Sequence, residues 1–387
     1  MSRPPDCLRL FLAGDVMLGR GIDQIQPQSC DPRLFEGYVT SAQDYVTLAE
    51  RASGTIPRRV DPGYVWGDLL ADLDARDVDL RLVNLETAIT SGGAHDPDKG
   101  IHYRMHPANV ALLTAARIDG VTLANNHVLD WGQAGLADTL ASLDHAAIMH
   151  AGAGRDDAEA FAPQYLPIAG GGRLVVLAVA LEDAGIPLSW KAGPNHPGVA
   201  YLEPDEVVAR VAAQLGEIRR PGDIVALSIH WGSNWGYAIA PVHRAIAEAV
   251  VAQGVDIVFG HSSHHPRAVV VRSGRLVLYG AGDLVNDYEG IGGKDGFRPE
   301  LVLGYVADIR RDTGALMALE MLPYRLHRFR LERADEEGRG WLARRMDHEA
   351  RLFGGQVVET PERTLRLEWD QGATEPEGQF NGPSGHG

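Results

Sequence analysis

Apolar runs that end in polar or glycine-rich loops alternate with stretches of helical spacing over the first two-thirds of the chain. Leu8–Gly14, Asp79–Leu85, Gly120–Ala124, Leu174–Leu181, Asp223–Ile229 and Asp256–Gly260 read as strands. Between them, "WGDLLADLDARD", "HPANVALLTAARID", "GQAGLADTLASLDHA", "EPDEVVARVAAQLGEIRR" and "APVHRAIAEAVVAQG" repeat apolar residues at intervals of three and four, which predicts helices with one buried face. This alternation implies βα units on a mostly parallel central sheet.

The pattern changes after His264. "RAVVVRSGRLVLYGAGD" holds two β-rich runs joined by "RSGR", a hairpin signal, and a second antiparallel pair is expected around "RDTG". A final helix is expected within "GRGWLARRMDHEARLFGG". Residues 370–387 have too little apolar content to offset their ordering entropy and read as a disordered tail. Residues 27–62, between the first strand and the next helix, read as an insertion of the kind that shapes pockets at strand ends.

The 387 residues contain no Pro/Gly/Ser-rich linker in mid-chain, so a single domain over residues 1–369 is expected. A formal charge of -16 excludes a general nucleic-acid or anionic-membrane surface, since both need basic patches. Two cysteines, Cys7 and Cys30, are too few for a disulfide framework or a cysteine metal site. The N-terminus lacks a secretory apolar region, and no apolar stretch reaches the ~20 residues that span a bilayer. A cytoplasmic protein, without membrane or nucleic-acid partners, is the expectation.

Candidate chemistry gathers at the carboxyl ends of the expected strands, the edge where open α/β sheets bind ligands. "LFLAGDVMLGRG" delivers Asp15, and "LRLVNLETAI" delivers Asn84 and Glu86 with one parity. "VTLANNHVLDWG" supplies Asn125, Asn126 and His127, with Asp130 three residues on, in reach of the imidazole if the loop turns. "DIVALSIHWGSNWGY" ends its strand at His230, and "VDIVFGHSSHHPR" ends at His261 with His264 and His265 close behind. "LVLYGAGDLVND" ends at Asp283, followed by Asn286 and Asp287.

Carboxylates, an asparagine and several histidines without cysteine suit Zn²⁺, Mn²⁺ or Fe²⁺, and the set is large enough for one or two ions. Paired ions hold a bridging hydroxide as nucleophile. His127, steadied by Asp130, is the candidate acid for the leaving group. Rival chemistries lack their motifs: "GDVMLGRG" has no Lys-Ser/Thr, "GAGRDD" lacks dinucleotide spacing, and no Gly-x-Ser-x-Gly occurs.

"GDVMLGR", "NLETAI", "LANNHVLDWG", "HWGSNWGY", "GHSSHHPR" and "LVLYGAGDLVND", in this order, resemble the motif series of the CapA-like poly-γ-glutamate biosynthesis family, which is similar to the calcineurin-like metallophosphoesterases. The resemblance covers Leu8 to Asp287. It implies an α/β fold, a metallophosphoesterase-like four-layer sandwich of two mixed β-sheets flanked by helices. It further implies that Asp15 binds the first metal and Glu86 bridges. Asn126, His230 and His261 would serve the second metal and His264 the first. The sequence departs from the phosphoesterase pattern at Met17, where that pattern has a histidine, and in having Asn84 and Glu86 where it has Gly-Asp. Its histidines are also spaced differently. His264 is preferred over His265 as the inward partner of His261, because Pro266 biases His265 towards an extended conformation.

The function expected is a metal-dependent hydrolase of a phosphoester or an amide, with a small-molecule or peptide-like anionic substrate. Two alternatives stand beside it: a non-enzymatic accessory role in poly-γ-glutamate or capsule synthesis, and a metal-free binding module. Arg20, Arg104, Lys191, Lys294 and Arg298 are candidate anion-holding groups.

Overall fold

A computed structural model of the chain describes residues 3–4, 6–291 and 296–370. Lys294 and all of the expected tail except Asp370 lie outside the described residues. Two large mixed sheets are built from β1 (Cys7–Val16), β2 (Leu80–Leu85), β3 (Gly120–Thr122), β4 (Met149–Ala151), β5 (Gln164–Pro167), β6 (Arg173–Ala180), β7 (Asp223–His230), β8 (Ile257–His261), β9 (Val269–Arg272), β10 (Arg275–Leu278), β11 (Asp283–Val285), β12 (Leu301–Arg310), β13 (Leu316–His327), β14 (Gly355–Glu359) and β15 (Leu365–Trp369). The first sheet runs β14-β15-β13-β12-β1-β2-β3-β4, with β11 added beside β1; the second runs β9-β10-β8-β7-β6-β5.

The six strands expected in one central sheet therefore divide. β1, β2 and β3 are parallel neighbours in the first sheet, and β6, β7 and β8 in the second. The apolar pattern carries no signal for the division, because every one of these strands is buried on both faces. Alternation within β6 shows what each face meets. Leu174, Val176, Ala178 and Ala180 join the large core shared with the first sheet, whereas Val175, Leu177 and Val179 join a second core.

That second core is closed by the helices Val207–Ile218 and Pro241–Ala252, through Val207, Val211 and Leu215 and through Ile246, Ala247 and Val250. On the first sheet, Leu69 and Leu73 of the helix Asp68–Ala75, and Leu136, Leu140 and Leu143 of the helix Gly132–His145, enter the large core. Each such side chain contributes ~1.5–3 kcal/mol by leaving water. The layers are thus helix, sheet, sheet, helix, as the resemblance implied. Both expected antiparallel pairs are present, β9 with β10 and β12 with β13. The last helix spans Glu336–Arg351, opened by the Asp335 carboxylate accepting from the Gly338 N–H at 2.8 Å. The hairpin β14–β15 that follows was not anticipated; its inward residues Val357, Leu365 and Leu367 are short signals among polar neighbours. Among the described residues no helix is long and apolar enough to cross a membrane.

Candidate functional site

Asp15 stands near the end of β1, where that strand changes partners. Up to Leu12 it pairs with β12, antiparallel; at Asp15 it pairs with β11, parallel, and Asp15 lies in register with Asp283. The exchange needs glycine at position 14, since a Cβ there would lie 2.0 Å from the Gly282 carbonyl oxygen, which accepts the Asp15 N–H at 3.0 Å. The Asp15 carboxylate accepts from Asn84 Nδ2 at 2.7 Å and from the Ser262 N–H at 3.2 Å. Burial and then the nearby Asp283 push its carboxyl up to about 7. Glu86, buried just past β2, is pushed well above the ordinary carboxylate range by burial and then by Asp15.

His230 and His261 end adjacent strands in register, so their side chains leave the second sheet on the same side. Their Nδ1 atoms are 2.7 Å apart. His261 Nε2 meets the Ser228 hydroxyl at 2.6 Å, and His230 Nε2 meets Asn126 Oδ1 at 3.2 Å. Both rings are fully buried, and burial holds both below the usual histidine range, His261 at about 3. The two sheets meet here: His261 Nδ1 is 3.9 Å from Asp15 Oδ1. Ser262, which follows, has φ of 103°, a strained value for a residue with a Cβ. Its N–H is the one given to Asp15.

The loop after β3 is organised by Asn125. Its side chain accepts from the backbone N–H groups of His127 and Val128, both at 3.1 Å, and donates to Asn84 Oδ1 and the Leu85 carbonyl. This turns the loop so that His127 Nδ1 meets Asp130 Oδ2 at 2.6 Å. Asp130 also accepts the Tyr103 N–H and an Nζ hydrogen of Lys99, which also donates to the Asn126 carbonyl. Burial favours the neutral carboxyl of Asp130, but His127 and Lys99 outweigh it and hold the group below its ordinary range. Burial brings His127 down to about 4, Asp130 opposing and Lys99 assisting. The His127 ring stacks on Tyr103 and turns Nε2 towards Glu86, at 3.9 Å.

His264 Nδ1 lies 2.9 Å from Asp283 Oδ1, and its Nε2 meets Asn234 Nδ2 at 3.0 Å. Burial lowers this imidazole, but Asp283 prevails and the group lies above its usual range. His265 turns elsewhere, among Trp235, Tyr237 and Phe297. Asp15, Glu86, Asn126, His127, Asp130, His230, His261 and His264 all come to one place. Met17 is buried and contributes no oxygen or nitrogen ligand.

Among the described residues, two sets of donor atoms are close enough to hold an ion: Asp15, His230 and His261, and Asp15, His264 and Asp283. Asp15 is common to both, and Glu86 belongs to neither. The donors are carboxylates and, at His230 and His261, rings kept neutral, the form a metal needs, so they fit divalent ions such as Zn²⁺, Mn²⁺ or Fe²⁺. Burying Asp15, Glu86 and Asp283 together is costly unless a positive charge compensates them, which strengthens the fit.

Asp283, which the sequence suggests ends a strand, instead opens β11, and its register with Asp15 shows a pairing that the sequence does not. Lys99 sits in the loop "DPDKGIHY", which carries no strand-end signal.

The site opens into a cavity of 480 Å³ that exposes His127 and His264 between walls that include Tyr38, Tyr103, Trp235 and Tyr288. Tyr38 comes from the insertion. Of the candidate anion-holding groups, Arg20 reaches this cavity, but its guanidinium is committed to Asp287 and Glu36. Arg104 lies over Trp131, Arg298 pairs with Glu300 and Glu337, and Lys191 is 3.8 Å from Glu206.

Comparison with known proteins adds relatives. Residues 9–288 match the family model described as bacterial capsule synthesis protein PGA_cap. A probable polyglutamine synthesis accessory protein of Mycobacterium tuberculosis is 45% identical over 370 residues, covering 95% of this chain and 97% of its own. The capsule biosynthesis protein CapA of Bacillus anthracis is 27% identical over 74% of this chain and 61% of its own. The PGA biosynthesis protein CapA of Bacillus subtilis is 25% identical over 73% and 64%.

Proposed function

Since the chain belongs to the bacterial capsule synthesis protein PGA_cap family, we propose that it serves the metabolism of a glutamyl polymer as a metal-dependent hydrolase of amide bonds. One observation carries this reading: Asp15 is shared by two ion-sized donor sets, one of which reaches through His264 to the cavity that is also lined by His127. Bound ions would supply Lewis-acid polarisation and a nucleophile drawn from water.

The chain's own residues divide the remaining work. Asp15, His230, His261, His264 and Asp283 would hold the ions, and Asn84 and Ser262 orient the Asp15 carboxylate by donating to it. Asn126 receives the free edge of His230. The Asp130 carboxylate accepts Nδ1–H of His127 and so leaves Nε2, which lies 3.9 Å from Glu86, to take up a proton. A proton taken up at that Nε2 is given readily to a leaving amine, because burial makes the imidazolium a strong acid. The tyrosine and tryptophan walls exclude water around the bond to be cut.

The test is metal analysis of the purified protein together with turnover of γ-glutamyl peptides and model phosphoesters, with added Mn²⁺ or Zn²⁺. Bound metal and metal-stimulated amine release are expected. Phosphoester cleavage alone would reassign the bond, and neither metal nor turnover would overturn the reading. In that case the non-enzymatic accessory role, favoured by the name of the mycobacterial relative, takes its place.

A further inference from the structure

The last helix, Glu336–Arg351, carries Trp341, Arg344, Arg345 and His348 at intervals of three, one and three, which places them on one face. They line an open groove of 320 Å³. Arg344 and His348 are exposed, and Trp341 and Arg345 are half-buried. Two of the acidic groups nearby are engaged elsewhere, and the third is buried and paired with Arg345. Asp347 pairs with Arg351, Glu359 pairs with Arg339, and Glu349 is buried, 3.5 Å from Arg345. A cationic groove with an aromatic wall stands out on a chain of formal charge -16.

The groove is joined to the candidate site by a line of rings. The Arg345 guanidinium lies 4.2 Å over the Tyr237 ring, Tyr237 stacks on Phe297 at 5.2 Å, and Phe297 meets Trp235 edge-on at 5.1 Å. Trp235 is a wall of the cavity that exposes His127 and His264. Beneath this line, His265 is buried with Nε2 lacking a hydrogen-bond partner.

We propose that this groove is an accessory binding site for a carboxylate-rich polypeptide chain whose reacting segment occupies the cavity. A glutamyl unit offers both halves of the recognition: methylenes that lie on aromatic faces and a carboxylate that meets guanidinium in a planar fork. Local cationic charge beside an acidic body captures such a chain and keeps it near the cavity after the first encounter. A nucleic acid is disfavoured, because the overall acidity repels it and two guanidinium groups offer little counterion release. The link to the cavity rests on the hydrolase reading; the groove's affinity for the polymer does not.

The test uses the full-length protein and a fluorescein-labelled glutamate oligomer of about twenty units, followed by fluorescence anisotropy at low salt with EDTA present. Arg344→Glu combined with His348→Glu, both exposed, should weaken binding at least tenfold, with the far-ultraviolet circular dichroism unchanged. The control Arg58→Glu should bind as the parent does. Equal binding by the double variant and the parent overturns the proposal, as does equal competition by a DNA oligomer of the same charge. Turnover of a γ-glutamyl dipeptide should be the same in double variant and parent, while KM for the long oligomer rises. Weakened binding without turnover of any substrate in the parent removes the hydrolase reading and leaves the groove standing.

Discussion

His230 and His261 face each other Nδ1 to Nδ1 at 2.7 Å, at the ends of adjacent parallel strands. Only one proton fits between two such nitrogens, so one ring donates while the other presents a lone pair. Both rings stay neutral at physiological pH, because burial penalises the imidazolium at each and His261 further disfavours charge on His230. The pair therefore offers nitrogen donors beside Asp15 without first having to lose a proton to water.

Replacing either ring by alanine should remove a donor and free its neighbour to rotate. His230→Ala and His261→Ala are each expected to lower affinity for Zn²⁺ or Mn²⁺ at least tenfold, as read by isothermal titration calorimetry on chelator-treated protein. Parent-like affinity in both variants would show that ions, if bound, sit elsewhere.

Asn125 organises the site without reaching a ligand position. Asn125→Ala leaves the N–H groups of His127 and Val128 without their acceptor in a buried loop. The loss should be on the order of 3 kcal/mol, since each buried donor left unpaired costs about 1–3 kcal/mol. Urea unfolding measures it, and a change below about 0.5 kcal/mol would mean that water replaces the side chain.

At Gly14 the neighbour in the way is backbone, the Gly282 carbonyl, which cannot rotate aside. Gly14→Ala should cost about 3 kcal/mol, the upper end for overpacking. It should also displace Asp15 from Asp283, visible as reduced metal content at temperatures where the variant remains folded. A variant as stable as the parent with full metal content would contradict the tight approach.

Away from the site, Glu320 accepts two hydrogen bonds from Arg76, at 2.8 and 2.9 Å, and one from Thr364. Burial raises its carboxyl, but Arg76 outweighs burial and holds it below the ordinary value. A depressed carboxyl stabilises the fold above its unfolded pKa, about 4.3, and that stability is lost as pH falls through the lower folded value. The parent's urea midpoint should therefore fall more steeply below pH 4 than that of Glu320→Gln; parallel pH curves would contradict this.

The strand ends were legible because a buried strand is an uninterrupted apolar run, and the polar residue that stops it is conspicuous. Asp15, His230 and His261 stand out for that reason. The partition into two sheets was hidden, since strands buried on both faces read alike whichever sheet they join. Asp283 reads in the sequence as the end of a strand, whereas β10 stops at Leu278 and Asp283 opens β11; its pairing with Asp15 depends on register between segments far apart in the chain. Lys99 and the hairpin Gly355–Glu359 with Leu365–Trp369 left weaker traces, one a single lysine beside two aspartates in a polar loop, the other two five-residue strands.

β1 changes partners at Gly14, and the partner it takes up is β11. Its stretch from Leu10 to Val16 can settle beside β2 once the chain reaches Leu85, but Asp15 gains Asp283 only when about 200 further residues have been made. On the ribosome, then, the N-terminal carboxylate waits through most of synthesis without its companion. A message or a protease that ends the chain before Asp283 yields a product that keeps Asp15, His230 and His261 but lacks the carboxylate that completes the second donor set, so a two-ion site would depend on the later part of the chain.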